Sequence, residues 1–353
     1  MQRGAWLPGR EWRLVPEATI GSVDQDGYEF GNVVGVALDP LGRVWVADGK
    51  QSVLRVFDAG GKLVRTVGRK GRGPNEFLSI SGMTFDPSGR LWVVDGGNAR
   101  YTVYDTAGKL VKTASRSANM SATPWPGRFD DEGRLYDVSG TLAPDGSIVT
   151  YIVRLDSALQ PADTFAVPPF DEEVFQIVRG DARNRTTEQV AVPFTGMQTW
   201  KIDPQGFVWI ANTARYRMER HNFGGGVRQV VEHATEPVRV TREDRERMLE
   251  GYQGFIGRGG KIDMARVPKT HAVLNTFMFD DTGHLWSSPV TSAREGRALD
   301  VFELNGRFLG RVPLPTGMRS SPRAIRGDRM VVVATDSLDV QSVVLLRIVK
   351  PGG

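Results

Sequence analysis

The chain has 353 residues, 45 of them lysine or arginine against 41 aspartate or glutamate, giving a formal charge of +4, and it contains no cysteine. Disulfides, thiolate zinc sites and a cysteine nucleophile are therefore excluded, and no run of about 18 apolar residues offers a membrane-spanning helix. The basic residues are spread along the chain, with GRKGRG (Gly68 to Gly73) the richest stretch, so nucleic acid is not an expected partner.

The first predicted element is a strand at Trp12 to Ile20, behind opening residues that lack the hydrophobic stretch of a signal peptide. A repeated unit follows. Val34 to Leu38 and Val44 to Ala47 are apolar runs joined by Asp39-Pro40-Leu41-Gly42. Val53 to Phe57 and Lys62 to Val67 are joined by Asp58-Ala59-Gly60-Gly61. Aspartate can bond its own downstream backbone, and glycine accepts φ > 0, so each tetrapeptide is a turn between two strands. The second unit keeps this order: FDPSGRLWVVD (Phe85 to Asp95), Thr102 to Tyr104, a turn at Asp105 to Gly108, and Lys109 to Thr113. Weaker copies are FDDEGRLYDVS from Phe129, IDPQGFVWIAN from Ile202 and FDDTGHLWSSP from Phe279. A degenerate sixth copy runs from Arg323 to Asp336, with an apolar strand at Val343 to Ile348.

The repeated glycines are Gly42, Gly89, Gly133, Gly206, Gly283 and Gly327, each followed three residues later by Trp45, Trp92, Tyr136, Trp209, Trp286 or Met330. A repeat of about 40 to 50 residues made of short strands is the signature of a β-propeller, and four antiparallel strands make a blade. The predicted fold is all-β: a six-bladed β-propeller of four-stranded antiparallel blades, one domain over residues 1–353, with the large repeated residues in the core between blades. Glu29-Phe30 echoes Glu76-Phe77 at the repeat spacing of 47 residues, so the segment before Glu29 corresponds to a fourth strand. The sixth unit lacks one, and Trp12 to Ile20 is expected to supply it, closing the ring and removing exposed edges.

The glycine spacings are 47, 44, 73, 77 and 44, so two intervals carry insertions, expected at about 157–197 and 222–275. In the first, PPFDEEVF (Pro168 to Phe175) reads as a loop or lid. In the second, FGGGV (Phe223 to Val227) reads as a hairpin turn, and Thr241 with Asp244 opens a capping box. Met248, Leu249, Tyr252, Phe255 and Ile256 then recur at helical spacing, predicting a short helix packed on the propeller.

These units resemble NHL-type repeats. More closely, they resemble six-bladed β-propeller proteins of bacteria, in which a blade ends in a segment like VGRKGRGPNEF (Val67 to Phe77) and the next opens with a strand, D-P-x-G and an aromatic strand. The resemblance is strongest from Glu29 to Thr113 and weakest from Ser157 to Thr195. It implies a periplasmic or extracellular place in the bacterial cell envelope.

Propeller enzymes place their chemistry at the channel mouth, near the start of each innermost strand; here those positions are Asn32, Ser81, Trp125, Gln198, Asn275 and Arg323. A gluconolactonase-type site would use a divalent metal, for which Asn32 and Asn275 could supply oxygens but no carboxylate joins them. Amidating and streptogramin lyases rely on histidines, and of His221, His233, His271 and His284 only His271 is expected near a mouth. The leading expectation is a monomeric, non-catalytic propeller, without metal or other cofactor, that presents a binding surface to a protein, peptide or glycan. Its candidate contacts are Arg72 and Glu76 on a blade connection and Trp125, Gln198, His271 and Arg323 near one opening. The alternatives are a metal-dependent hydrolase or lyase, lactonase-like or amidating-lyase-like, and an NHL-like binder of single-stranded RNA.

Overall fold

The computed structural model describes residues 4–351, apart from 22–24, 26, 121, 123, 145–146, 181–183, 317, 319–321 and 337. Strand β1 (Arg13–Ile20) comes first in the chain but belongs to the last blade. Blade 1 is β2 (Val33–Leu38), β3 (Val44–Asp48), β4 (Val53–Phe57) and β5 (Leu63–Val67). Blade 2 is β6 (Ile80–Phe85), β7 (Leu91–Asp95), β8 (Arg100–Tyr104) and β9 (Leu110–Ser115). Blade 3 is β10 (Arg128–Phe129), β11 (Leu135–Leu142), β12 (Ile148–Leu155) and β13 (Pro161–Ala166). A separate hairpin, β14 (Val174–Arg179) with β15 (Thr186–Ala191), precedes blade 4, which is β16 (Gln198–Ile202), β17 (Val208–Asn212), β18 (Arg217–His221) and β19 (Val227–Glu232). Helices α1 (Arg242–Gly251) and α2 (Gln253–Gly257) then lead to blade 5: β20 (Leu274–Phe279), β21 (Leu285–Pro289), β22 (Ala298–Phe302) and β23 (Phe308–Pro313). Blade 6 is β24 (Pro322–Arg326), β25 (Arg329–Thr335) and β26 (Gln341–Val349), with β1 as its fourth strand.

The inner hairpins of blades 1 to 5 are each built on one buried aspartate. Asp39 Oδ1 accepts the N–H groups of Leu41 and Arg43, both at 2.9 Å, while Oδ2 accepts Arg43 Nε at 2.6 Å and Trp45 Nε1 at 3.1 Å. Asp86, Asp130 and Asp280 repeat the pattern, with Trp92, Tyr136 and Trp286 as the aromatic donors. In blade 4 the cation changes source: Phe207 stands where Arg43 does, and Arg220 Nε reaches across from β18 to Asp203 at 2.8 Å, beside Trp209 Nε1 at 2.9 Å. A buried carboxylate is tolerable only when paired and bonded, and here both oxygens are used. The aromatic ring thereby anchored lies against the next blade: Trp45 with Leu91 and Tyr104, Trp92 with Phe129 and Leu135, Trp209 with Phe277 and Leu285, Trp286 with Met330 and Val332. All six repeated large residues are at most 4% exposed, which places them in the core between blades as their spacing predicts.

The ring closes through β1, which pairs antiparallel with β26 from Arg13↔Val349 to Ile20↔Val343. The register shifts between Pro16 and Ala18, and Glu17 there accepts Arg329 Nε at 3.0 Å and Arg347 Nε at 2.5 Å. Burial pushes the Glu17 carboxyl up, and the two arginines outweigh it and hold it below its usual range.

The extra residues start later than the glycine spacing suggests. β13 and β19 complete blades 3 and 4, so the insertions follow Ala166 and Glu232 rather than beginning near 157 and 222. They pack on each other: Phe175 and Val192 from the hairpin region meet Met248, Phe255 and Val267 from the helical one. The capping box of α1 is formed, with Asp244 N–H on Thr241 Oγ1 and Thr241 N–H on Asp244 Oδ2, and Arg242–Glu246 and Glu243–Arg247 pair on its exposed face.

Removing the chain through Ile20 is expected to lower the melting temperature of the whole propeller, and Ile20→Ala alone to cost about 2–5 kcal/mol of stability. Thermal unfolding followed by circular dichroism checks this; a truncated protein that melts at the wild-type temperature contradicts closure by β1.

Candidate functional site

Six innermost strands facing one axis leave a central channel. Its end where these strands begin opens into a cavity of about 500 Å³, lined by Asn32, Thr276, Ser288 and Gln341 among apolar residues that include Val34, Trp125, Phe277 and Trp286. The opposite end, at the aspartate turns, holds a second cavity of about 390 Å³ lined by Asp86, Asp130, Asp131, Asp280 and Asp281 with Arg128 and Arg326. Six residues border both cavities and form a waist between them: Val36, Met83, Trp125, Lys201, Met278 and Arg323. Each comes from a different blade or from the segment leading into it.

A second group of polar side chains sets the mouth. Asp48, at the end of β3, accepts the N–H groups of Gly31 and Asn32 at 2.9 and 3.3 Å, and Asp95 accepts that of Ser79 at 2.9 Å. In blade 4, Thr213 Oγ1 accepts Met197 N–H at 2.8 Å. In blade 3, Asp137 Oδ1 accepts Trp125 Nε1 at 2.7 Å while Arg116 pairs with both of its oxygens. The approach to each of these inner strands is thus fixed by a side chain on, or just after, the neighbouring strand. Four inner strands also carry a register shift just inside the mouth, at Val34, Ser81, Asn275 and Arg323, the kind of bulge that re-aims a side chain.

Of the residues expected near an opening, Arg323 and Trp125 line the mouth cavity and the waist. Trp125 is nevertheless 7% exposed, with its indole N–H committed to Asp137, and a Cβ on Gly82 would lie 2.8 Å from its own Cβ, so only an apolar part of it can meet a ligand. Gln198 begins β16, opposite Asn212, without lining either cavity. Arg72 and Glu76 sit on the connection from β5 to β6. Glu76 accepts Gly73 N–H at 2.7 Å and Arg69 Nε at 2.8 Å, which keep its carboxyl below the usual range, and Arg72 is exposed. Both belong to the rim and not to the cavity.

His271 stands apart from the mouth cavity. Its Nε2 lies 3.2 Å from Asp244 Oδ2 and its ring meets Phe194 edge-on, so it ties the cap of α1 to the connection before blade 4. Bonds from Thr241, then His271, hold Asp244 at about 2. The other histidines are dispersed: His284 bonds Asp280, while His221 and His233 are buried in the outer part of blade 4. Burial pushes Asp280 up, and the bonds from His284 and Trp286 outweigh it, leaving it at about 2. Among the described residues no three histidine, aspartate or glutamate side chains converge to hold a metal ion.

Lys201 is the waist residue that sequence reasoning passed over. Its signal was there: it stands two residues before Asp203, as Met278 stands two before Asp280, so a lysine occupies an inner-strand position that is apolar in the next blade. Burial, and then the nearby Arg323 guanidinium, push the Lys201 ammonium below the usual lysine value. The lower cavity differs. Arg128 there donates to the carbonyls of Ile202 and Phe129 at 3.0 and 3.1 Å, and burial lowers its pKa against the pull of Asp203, Asp131 and Asp130.

The chain is a six-bladed β-propeller, and residues 25–166 match a family described as 6-bladed beta-propeller (DUF5128). No match emerges among curated proteins. Among solved structures, a candidate exported protein from Bacteroides fragilis is 12% identical, with 96% of each chain covered and a TM-score of 0.51. Virginiamycin B lyase from Staphylococcus aureus is 11% identical over 96% of this chain and 100% of its own, at a TM-score of 0.47. The PQQ-bound aldose sugar dehydrogenase from Streptomyces coelicolor is 12% identical over 96% and 99%, at 0.45. The likeness to the Bacteroides protein is one of fold. No helix among the described residues is long and apolar enough to cross a membrane.

Lys201→Met should stabilise the protein by about 1 kcal/mol at pH 7, because it removes a recessed charge beside Arg323 and matches Met83 and Met278 in the same ring. The sign with pH follows from the lowered pKa: the wild-type penalty is full while both folded and unfolded lysine are charged, and it is relieved once the folded lysine loses its proton. The gain of the variant should therefore shrink as pH rises toward the ordinary lysine range. Melting curves from pH 7 to 10 read this; a variant less stable than wild type at pH 7 contradicts it.

Proposed function

We propose that the protein is a monomeric binding propeller that receives a segment of a protein, peptide or glycan in the mouth cavity, with no chemical step of its own. The observation that carries this reading is the cavity of about 500 Å³ at the end of the channel where the inner strands begin. Its size suits a ligand segment, and its lining suits recognition: a few amide and hydroxyl groups among apolar walls. The aspartate and threonine tethers hold the mouth in place before any ligand arrives, so little ordering cost attends binding. Both insertions leave the ring at this same end, where they enlarge the surface a larger partner would meet. A place in the bacterial cell envelope is the part of the proposal drawn from the resemblance of its repeats.

Calorimetric titration with panels of peptides and oligosaccharides tests the reading. Asn32 is exposed at the rim with its backbone already held by Asp48, so Asn32→Trp should obstruct the mouth and leave the fold intact. The expected result is one ligand per chain with affinity falling at least about tenfold in the variant. A ligand bound equally well by Asn32→Trp, or one converted to product, overturns it.

A further inference from the structure

Most recessed cations elsewhere in this ring are matched by acceptors: Arg43 pairs with Asp39, Arg55 with Asp48, Arg116 with Asp137, Arg220 with Asp203 and Arg311 with Asp300, while Arg128 and Arg100 donate to backbone carbonyls. The waist departs from this rule. Lys201 and Arg323 are the charged residues lining the mouth cavity, both are cations, and no carboxylate lines that cavity among the described residues. The other four members of the waist, Val36, Met83, Trp125 and Met278, bring no counter-charge. Lys201 is partly buried and Arg323 is exposed, and the Arg323 charge is felt at Lys201; two like charges lining one cavity oppose folding unless something of opposite sign joins them.

The geometry points to an oxyanion site: we propose that the ligand of the mouth cavity carries a carboxylate, sulfate or phosphate group, which seats at the waist between Lys201 Nζ and the Arg323 guanidinium. The two cations have complementary roles. Arg323, on the bulge of β24, offers a planar fork of N–H donors suited to two oxygens, and Lys201, on β16 of a different blade, adds a compact point charge. Asn32, Thr276, Ser288 and Gln341 lie above them toward the mouth, where they can meet the uncharged remainder of the ligand. Neutral ligands would leave the pair unmatched, so the waist selects by charge and the wall by shape.

This inference rests on the mouth cavity being the binding site, and it is tested with probes that do not require the natural ligand. Calorimetry with sodium sulfate, sodium phosphate, glucuronate and an N-acetylated dipeptide with a free C-terminus covers the sources of an oxyanion; glucose and the amidated dipeptide are the neutral partners. At least one charged probe should bind with one site per chain, more tightly than its neutral counterpart and more weakly as sodium chloride is raised. Lys201→Met and Arg323→Met should each weaken it tenfold or more, while Lys62→Met, which removes an exposed charge on an outer turn, should not. Which probe binds best identifies the source of the oxyanion. Binding that survives both waist substitutions, or no preference for any charged probe, overturns the inference. If a neutral peptide or glycan then still binds and is excluded by Asn32→Trp, the binding reading stands without the oxyanion; if nothing binds at the mouth, that reading falls as well.

Discussion

One buried carboxylate in the inner hairpin of each of the first five blades holds this protein in shape. Asp39, Asp130, Asp203 and Asp280 each bind two turn N–H groups with one oxygen and an aromatic donor with the other, and Asp86 does so with the Arg90 N–H and the Ser88 hydroxyl on the first oxygen. The turn, the innermost strand and the aromatic that fills the gap to the next blade are thus fixed by a single side chain. An unpaired carboxylate in such a place would be prohibitive, and a local arginine in blades 1 to 3, Arg220 from β18 in blade 4 and the His284 ring in blade 5 complete it. Blade 6 has a shorter turn at Gly327-Asp328 and no such aspartate; there the pairing with β1 and the Glu17 links to Arg329 and Arg347 give the outer strands their hold.

A frame fixed in this way leaves few places for function. Where the rule of paired charge is kept, as in the turns, the residues explain themselves structurally. The waist breaks the rule with two unpaired cations at one level of the channel, and the two insertions break the repeat of blade connections at the mouth. Both departures lie on the route into the same cavity. A conflict between local chemistry and stability that persists in an otherwise consistent fold is where a binding role is sought.

The blades were legible in the sequence because their chemistry is local. Asp, Gly and Trp at fixed offsets within LDPLGRVWVAD make the turn and the inter-blade contact together, and the Glu29-Phe30 echo revealed which terminus closes the ring. The insertion limits were misplaced for a physical reason. The turn before β13 keeps its aspartate, with Asp156 Oδ1 accepting Ala158 and Gln160 N–H groups, but Leu159, at φ +60°, takes the positive-φ place that Gly61 and Gly108 hold in the other turns. Without the glycine the fourth strand of blade 3 looked like insertion. The site was less legible. Trp125 and Arg323 were reached by counting to the inner-strand starts, whereas His271, close to β20 in sequence, is drawn to Asp244 by the intervening helix. Lys201 becomes significant only when six inner strands meet on one axis and set it beside Arg323, a relation that spans two blades and has no counterpart in any local motif.

The central claim is that the waist is a charge site awaiting its counter-charge, and anomalous diffraction tests it most directly. Crystals soaked in selenate, with bromide as a second probe, would show where an anion settles. The account predicts a selenium peak between the Lys201 ammonium and the Arg323 guanidinium, lost in Lys201→Met crystals grown alike. Peaks confined to the outer surface, or a carboxylate of the chain itself found bridging Lys201 and Arg323, would contradict it.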